Sequence, residues 1–231
     1  LVRLGIYTVS DMLSFYPRNY EDRTTVKEIK DIKDGETALI KIRAVSAMKS
    51  TRIRRGMSVQ KMTVTDLSGV VYVTWFNQDW LPRNMHYDEE YFLYGKFTVK
   101  NHKLELNNPS MERCDKFTPC ILPIYPLSAG LNQNLVRRAV KSAIEKTDSI
   151  NDFLSGEMRE KYTLCGMEYA VCNIHFPLNF ENLSYARTRL AFNELFLLQL
   201  GIRLIKERKT ELIGTPFQNT SCVYDFIKTL L

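Results

Sequence analysis

Two short stretches hold the side chains best suited to act on another molecule. The first is Trp75-Phe76-Asn77-Gln78-Asp79-Trp80, three aromatic rings and three polar groups in six residues. The second is Lys49, Arg52, Arg54 and Arg55, four cations within seven residues, with no acid between Ala44 and Gln60. Exposed rings beside cations suit single-stranded nucleic acid. Every base offers a π face, and stacking is worth ~1–3 kcal/mol per base without requiring a particular sequence. Each stretch also has a plainer reading: aromatics close the mouths of small barrels, and a charge run is often a solvated loop.

Other chemistry is thinly represented. No GxxxxGK[ST] occurs, and the one Gly-Lys pair, Gly95-Lys96, is followed by Phe97 within a strand-like stretch, so no loop is built to cradle a nucleoside triphosphate. His86, His102 and His175 lack Glu or Cys partners at ligand spacing, and His175, between Ile174 and Phe176, reads as structural. Cys114, Cys120, Cys165, Cys172 and Cys222 form no CxxC or CxH pair, which argues for reduced thiols over a zinc site or a disulfide framework. Asp88, Glu89 and Glu90 open a strand, where they read as edge-strand solubility, since neighbours on a strand point to opposite faces.

The elements that must position the two stretches follow from periodicity. Ile40, Ile42 and Ala44 alternate with Lys41 and Arg43, as on a strand with one buried face. The basic run then reads as a loop around Gly56. Met62 and Val64 alternate with Lys61, Thr63 and Thr65, the turn composition of residues 66–69 follows, and residues 70–76 form a third strand. On that strand Val71, Val73 and Trp75 share the inner parity, which leaves Phe76 outside and Trp80 on the connector beyond. Residues 77–86 are polar and broken by Pro82; 91–99 and 103–106 supply the fourth and fifth strands. Five short antiparallel strands with an insertion after the third indicate an α+β chain built on a Greek-key OB-fold. Such a barrel binds oligonucleotides through strands 2–3 and the loops 1–2 and 4–5, and the basic run falls in loop 1–2.

Before the barrel, Leu4, Ile6, Val9, Met12, Leu13 and Phe15 recur at helical intervals, with Ser10 as the expected N-cap and Pro17 as the stop. Leu4-Gly5-Ile6 ahead of this short helix resembles the second half of a helix-hairpin-helix. After the barrel, 132–146 and 151–161 read as helices. A long helix over about 183–209 follows, with Leu183, Leu190, Leu197 and Leu204 seven apart, and its broad apolar circumference suggests a buried strut.

Composition fits this picture. The 231 residues are 45% hydrophobic and 25% charged with a formal charge of +6, values of an ordinary globular protein with a basic surface. Unbroken apolar runs reach four residues, as at 195–198, far short of the ~20 a membrane span needs, and no signal peptide is legible. A cytoplasmic monomer that does not touch membranes is the expectation. A start at Leu1 and an end among Phe226, Ile227, Leu230 and Leu231 suggest a piece of a longer chain.

Several motifs in order extend the reading. They are LGIYTVSDML at 4–13, YPRNYEDR at 16–23, WFNQ at 75–78, ILPIYP at 121–126, IHFP at 174–177, and ARTRLAF with ELFLLQL over 186–200. Together they make residues 1 to about 208 resemble the N-terminal region of the RecG family, bacterial ATP-dependent DNA helicases that remodel stalled forks. The resemblance implies an N-terminal helical segment at 1–30, an OB-fold wedge at 31–118, a helical region with a strut at 119–210, and a linker at 211–231 toward two helicase lobes. It implies branched DNA, a replication fork or Holliday junction, as partner in repair and recombination. Two family aromatics that stack on unpaired template bases carry over onto Phe76 and Trp80. The second is commonly Tyr, so Trp80 departs while keeping a stacking face. Asn77 and Gln78 become candidates for polar contacts to DNA, and Lys49, Arg52, Arg54 and Arg55 for phosphate contacts. Asn193 stands where the family usually has an acid, which puts a salt bridge in question. ATP and Mg would belong to the lobes, leaving no cofactor and no catalytic constellation in these residues. The alternative is an OB-fold scaffold that docks and orients a motor without touching the strands it splits.

Overall fold

The computed structural model describes residues 1–54, 56–81, 85, 88–115, 117–210 and 228. Within these, residues 37–107 hold the barrel. Its strands are β3 (Thr37–Ala44), β5 (Met57–Thr65), β6 (Val70–Phe76), β7 (Glu90–Lys100) and β8 (Lys103–Asn107), hydrogen-bonded in the order β3-β5-β6-β8-β7, with β7 closing back on β3. This is the OB-fold ring. Four of its pairings are antiparallel, but β6 and β8 run parallel. The five-stranded Greek-key OB-fold read from the sequence is present, and its one parallel pairing is what closure requires. Strand direction cannot alternate all the way round a closed ring with an odd number of members.

Alternation fills the interior as the period-two pattern predicts. Ile40, Ile42, Ala44, Met62, Val64, Val71, Val73, Trp75, Leu93, Phe97 and Leu106 form one buried cluster. At the ring's end Trp75 is fully buried and donates its indole N–H to the Pro109 carbonyl at 3.1 Å, satisfying its only polar atom. Gly69 closes the turn between β5 and β6, where a Cβ would lie 2.5 Å from Ile29, so the turn can seat against the 29–31 segment only without a side chain. Short strands trim the ring: β2 (Val26–Lys27) runs parallel to β3, and β9 (Ser110–Arg113) lies on β7.

The remaining elements form a helical mount. β1 (Asn19–Asp22) pairs with β10 (Ile121–Ile124), which brings the N-terminal segment onto the chain that follows the barrel. Met12 of helix α1 (Val9–Leu13) and Ile6 just before it then pack against Val136 and Val140 of α2 (Gln133–Glu145). Thr8, not the expected Ser10, caps α1: its hydroxyl accepts the Asp11 N–H while the Asp11 carboxylate accepts those of Tyr7 and Thr8. The reciprocal T-x-x-D box satisfies more orphan donors than Ser10 could.

Helix α3 (Gly156–Lys161) is shorter than the 151–161 read from sequence, because Ser155 caps it and Asp152 turns inward instead. Helix α4 (Met167–His175) went unread; it is a single short helix ended at Phe176. Helix α5 (Phe180–Thr210) has 31 residues and is ~46 Å long. The buried-strut expectation holds only for its first half. Leu183, Ala186 and Leu190 are buried against α4, but Leu197, Leu198 and Leu204 are at least half exposed. The reason is the length of its partners: α4 covers the beginning of α5 and Tyr162 and Phe153 reach Phe192 and Phe196, while the helix runs on to Thr210.

Candidate nucleic-acid interface

Strand parity fixes the first ring. Trp75 is fully buried while its neighbour Phe76 is 41% exposed on the outer face. The chain leaves β6 through Asn77, whose φ of 56° is a left-handed conformation that Asn adopts more readily than most residues. Asn77 is clamped to β5, its N–H donating to the Ser58 carbonyl at 2.9 Å and its Oδ1 accepting the Ser58 N–H at 3.0 Å.

Gln60 holds the next turn. Its amide is fully buried, donates to Asp79 Oδ1 at 2.8 Å and to Ser58 Oγ at 3.0 Å, and accepts the Gln78 N–H at 3.3 Å. Leu81 follows, fully buried in the barrel end, its N–H on the Gln78 carbonyl at 3.1 Å. Trp80 is therefore fixed between two anchored neighbours while the residue is 52% exposed. Gln60 was missed in the sequence, though one signal was there. It shares the inward parity of Met62 and Val64, and a polar residue at an inward position needs partners.

The basic run is not a loop. Lys49, Arg52 and Arg54 lie on β4 (Lys49–Arg54), which pairs with β5 as a hairpin turned at Gly56, whose φ is 79°. Alternating Thr51 and Ile53 give this stretch strand character that the density of charge hides. The register splits the cations. Thr51, Val59 and Phe76 stand in one cross-strand row, so Lys49 and Thr51 share the Phe76 side, together with Lys61. Arg52, opposite Ser58, falls on the side of Gln60 and the Trp80 turn, and Arg54 follows a bulge. Arg55 lies outside the described residues.

Charge compensation sets this region apart. Around the start of β7, Lys41 of β3 pairs with Glu90 at 2.6 Å, Arg43 of β3 with Asp88 at 3.5 Å and Arg113 of β9 with Glu89 at 3.7 Å. The acidic triplet thus answers specific cations, and the edge-strand reading fails because β7 lies between β3 and β9. The hydrogen bond from Lys41 holds the Glu90 carboxyl below its ordinary range, so the pair stays charged near neutrality. Among the described residues, Lys49, Arg52 and Arg54 make no ion pair. No cluster of His, Cys, Asp and Glu among the described residues could hold a metal.

The family description "RecG wedge domain" matches residues 1–147. The chain belongs to the RecG wedge domain family. It is 33% identical over 241 residues to the ATP-dependent DNA helicase RecG of Thermotoga maritima, covering all of this chain and 30% of that protein. Against the Synechocystis RecG it is 32% identical over 220 residues, 87% of this chain and 26% of the relative. A solved structure of RecG bound to a three-way DNA junction superposes with a TM-score of 0.78 at 30% identity, over 99% of this chain and 32% of that one. The wedge chain therefore spans about 30% of the length of the relatives it matches.

Proposed function

We propose that this chain is the branched-DNA-binding part of an ATP-dependent helicase. In this reading the barrel at 31–118 sits at the branch point, Phe76 and Trp80 stack on unpaired bases, and the β4 cations, with Arg55, engage phosphate. Asn77 and Gln78 would add polar contacts from the turn between the rings. The observation behind it is the pairing, at one end of the barrel, of two half-exposed rings with cations that no carboxylate among the described residues neutralises. The solved RecG with a DNA junction, which this chain matches along nearly its whole length, supports the same partner.

The motor would lie in the remainder of such a protein, with ATP and Mg, and the chain alone would not turn over ATP, in the cytoplasm and as a monomer. Among the described residues no helix is long and apolar enough to cross a membrane.

The experiment is a double substitution, Phe76→Ala with Trp80→Ala, assayed for fork binding, duplex binding and melting. Losing an exposed stacking ring costs about 1–3 kcal/mol of fork affinity per site. Blunt-duplex binding stays the same, since duplex bases are stacked on one another, and the melting temperature is nearly unchanged. Rings that belong to the core would instead cost about 3–5 kcal/mol of folding stability. A collapsed melting temperature with fork preference intact would overturn the assignment.

A second reading, a scaffold that docks a motor, has its own observation. Leu195, Leu197, Leu198, Leu204 and Ile205 of α5 are 50–61% exposed on one helix. Exposed apolar surface of that extent marks contact with another protein surface. The two readings fit together if the barrel meets DNA and the far half of α5 meets the rest of the parent protein.

A further inference from the structure

The groove that starts at Phe76 continues along the barrel. Phe76, Thr74 and Tyr72 share one side of β6, and the outer face runs from Phe76 past Thr74 to Tyr72, bordered by Lys49, Lys61 and Glu105. Tyr72 is 40% exposed, and Lys103 of β8 holds its ammonium 5.1 Å from the ring centroid. Among the described residues that line the groove, Glu105 is the one acid, and it lies 4.0 Å from Lys100. Among the described residues, Lys49, Lys61 and Lys103 have no carboxylate partner, so the groove holds three uncompensated cations against one acid.

We propose that Tyr72 is a second stacking platform for unpaired DNA, with Lys61 and Lys103 as its phosphate partners. This rests on the reading that the barrel holds a single strand, and it adds the strand's course: away from Phe76, along the outer face of β6. A basic groove with an aromatic at intervals is the arrangement that tracks single strands without sequence preference. The Lys103 contact does not block the ring. An exposed ammonium on an aromatic face is held more weakly than a stacked base, so Lys103 yields the ring and keeps the phosphate within reach.

Four residue steps along the strand separate Tyr72 from Phe76, roughly 13 Å. That is about four nucleotides of stacked strand. Tyr72 is reached only when the unpaired segment is at least that long, whereas Phe76 meets the first unpaired base.

The test uses forks with two or with eight unpaired nucleotides, placed on either arm in turn, and the full chain carrying Tyr72→Ala, Tyr72→Phe or Phe76→Ala. Tyr72→Ala should weaken binding to the eight-nucleotide fork on one arm by roughly five- to a hundredfold and leave the two-nucleotide fork unaffected. Tyr72→Phe, which keeps the ring, should bind as the parent does. Phe76→Ala should weaken both forks. Equal loss on both gap lengths, no loss on either, or failure of Tyr72→Phe to restore binding would each overturn the second platform. If Phe76→Ala binds normally while Tyr72→Ala shows the gap-length effect, the branch-point assignment fails and the Tyr72 track stands. A melting temperature for each variant separates lost contact from lost folding.

Discussion

The barrel and the helical mount place their polar groups in opposite ways. The barrel's interior is largely apolar from Ile40 to Leu106, with Ser58, Gln60, the Trp75 indole and the Tyr91 hydroxyl as polar exceptions, and its charges lie on the surface. The mount buries its charge. Arg189 of α5 is wholly inaccessible, bonded to Asp152 and to the Cys165 carbonyl at 3.3 Å. His175 is equally buried between the Tyr125 hydroxyl and the Leu13 carbonyl, each at 2.9 Å. The carbonyl can only accept, so His175 Nε2 carries the hydrogen and Nδ1 accepts from Tyr125. A surface that stores its polar groups outside can change them with little effect on folding. A region that stores them inside cannot, and the difference marks the barrel as the part free to specialise in binding.

Removing Asp152 tests the comparison most severely. Asp152→Ala leaves the buried Arg189 guanidinium without its carboxylate and should lower stability by about 3–5 kcal/mol, read as a fall in the melting temperature of the mount. Burial alone would raise the Asp152 carboxyl, but the N–H groups of Leu154 and Met167 and the Arg189 guanidinium reverse this and hold it below its ordinary range. Fork binding by the fraction still folded should be unaltered. A small loss of stability would mean that the mount tolerates a bare buried charge, and the contrast with the barrel would dissolve.

Surface lysines of the barrel provide the next test. Lys49→Ala should reduce the log–log salt slope of fork binding by about 1. Lys41→Ala, on a strand whose cation already answers Glu90, should leave the slope nearly unchanged. Both variants should melt as the parent does. Equal slopes for the two would mean that charge compensation on β3 and β7 has no bearing on where DNA lies.

The smallest expected effect belongs to His175. Burial pushes its pKa below the ordinary 6.5. As the pH falls through that value the unfolded chain takes up a proton that the folded one refuses, so stability contributed by the neutral ring is present above pH 6.5 and declines below it. Melting temperatures taken at intervals from pH 7.5 to 5 should fall with acidity more steeply in the parent than in His175→Gln. Identical slopes in the two proteins would remove His175 from the account.

Much of the barrel was legible, because alternation reports which face is wet. Residues 70–76 were read as a strand and are one, and Trp75 and Phe76 fall inside and outside as parity requires. The β4 hairpin was hidden because four cations in seven residues look like solvated loop, although backbone pairing is indifferent to outward charge. Helix α4 was hidden for a different reason: its buried face mixes Ala170, Val171 and Ile174 with the polar Asn173 and His175, which blurs the apolar pattern, and nine residues give periodicity little to work on. The exposed end of α5 was misread because an apolar helix surface reports a need for a partner and not the partner's presence. At the candidate interface the residue types were legible, but the split of Lys49 from Arg52 was not. It depends on the β4–β5 register, which sequence does not specify.

The closed ring also governs how the barrel would answer a pull. Phe76 is the last residue of β6, and β6 is paired over seven residues with β5 and over four with β8. Ladder hydrogen bonds lie across the strands, so a force drawn along β6 from Phe76 strains both ladders at once, in shear, and no single bond yields first. The same force applied across an open edge would peel the pairs one after another. Because β7 closes on β3, the ring offers no such edge, and tension entering at the exposed ring spreads around the whole circumference before any strand can part.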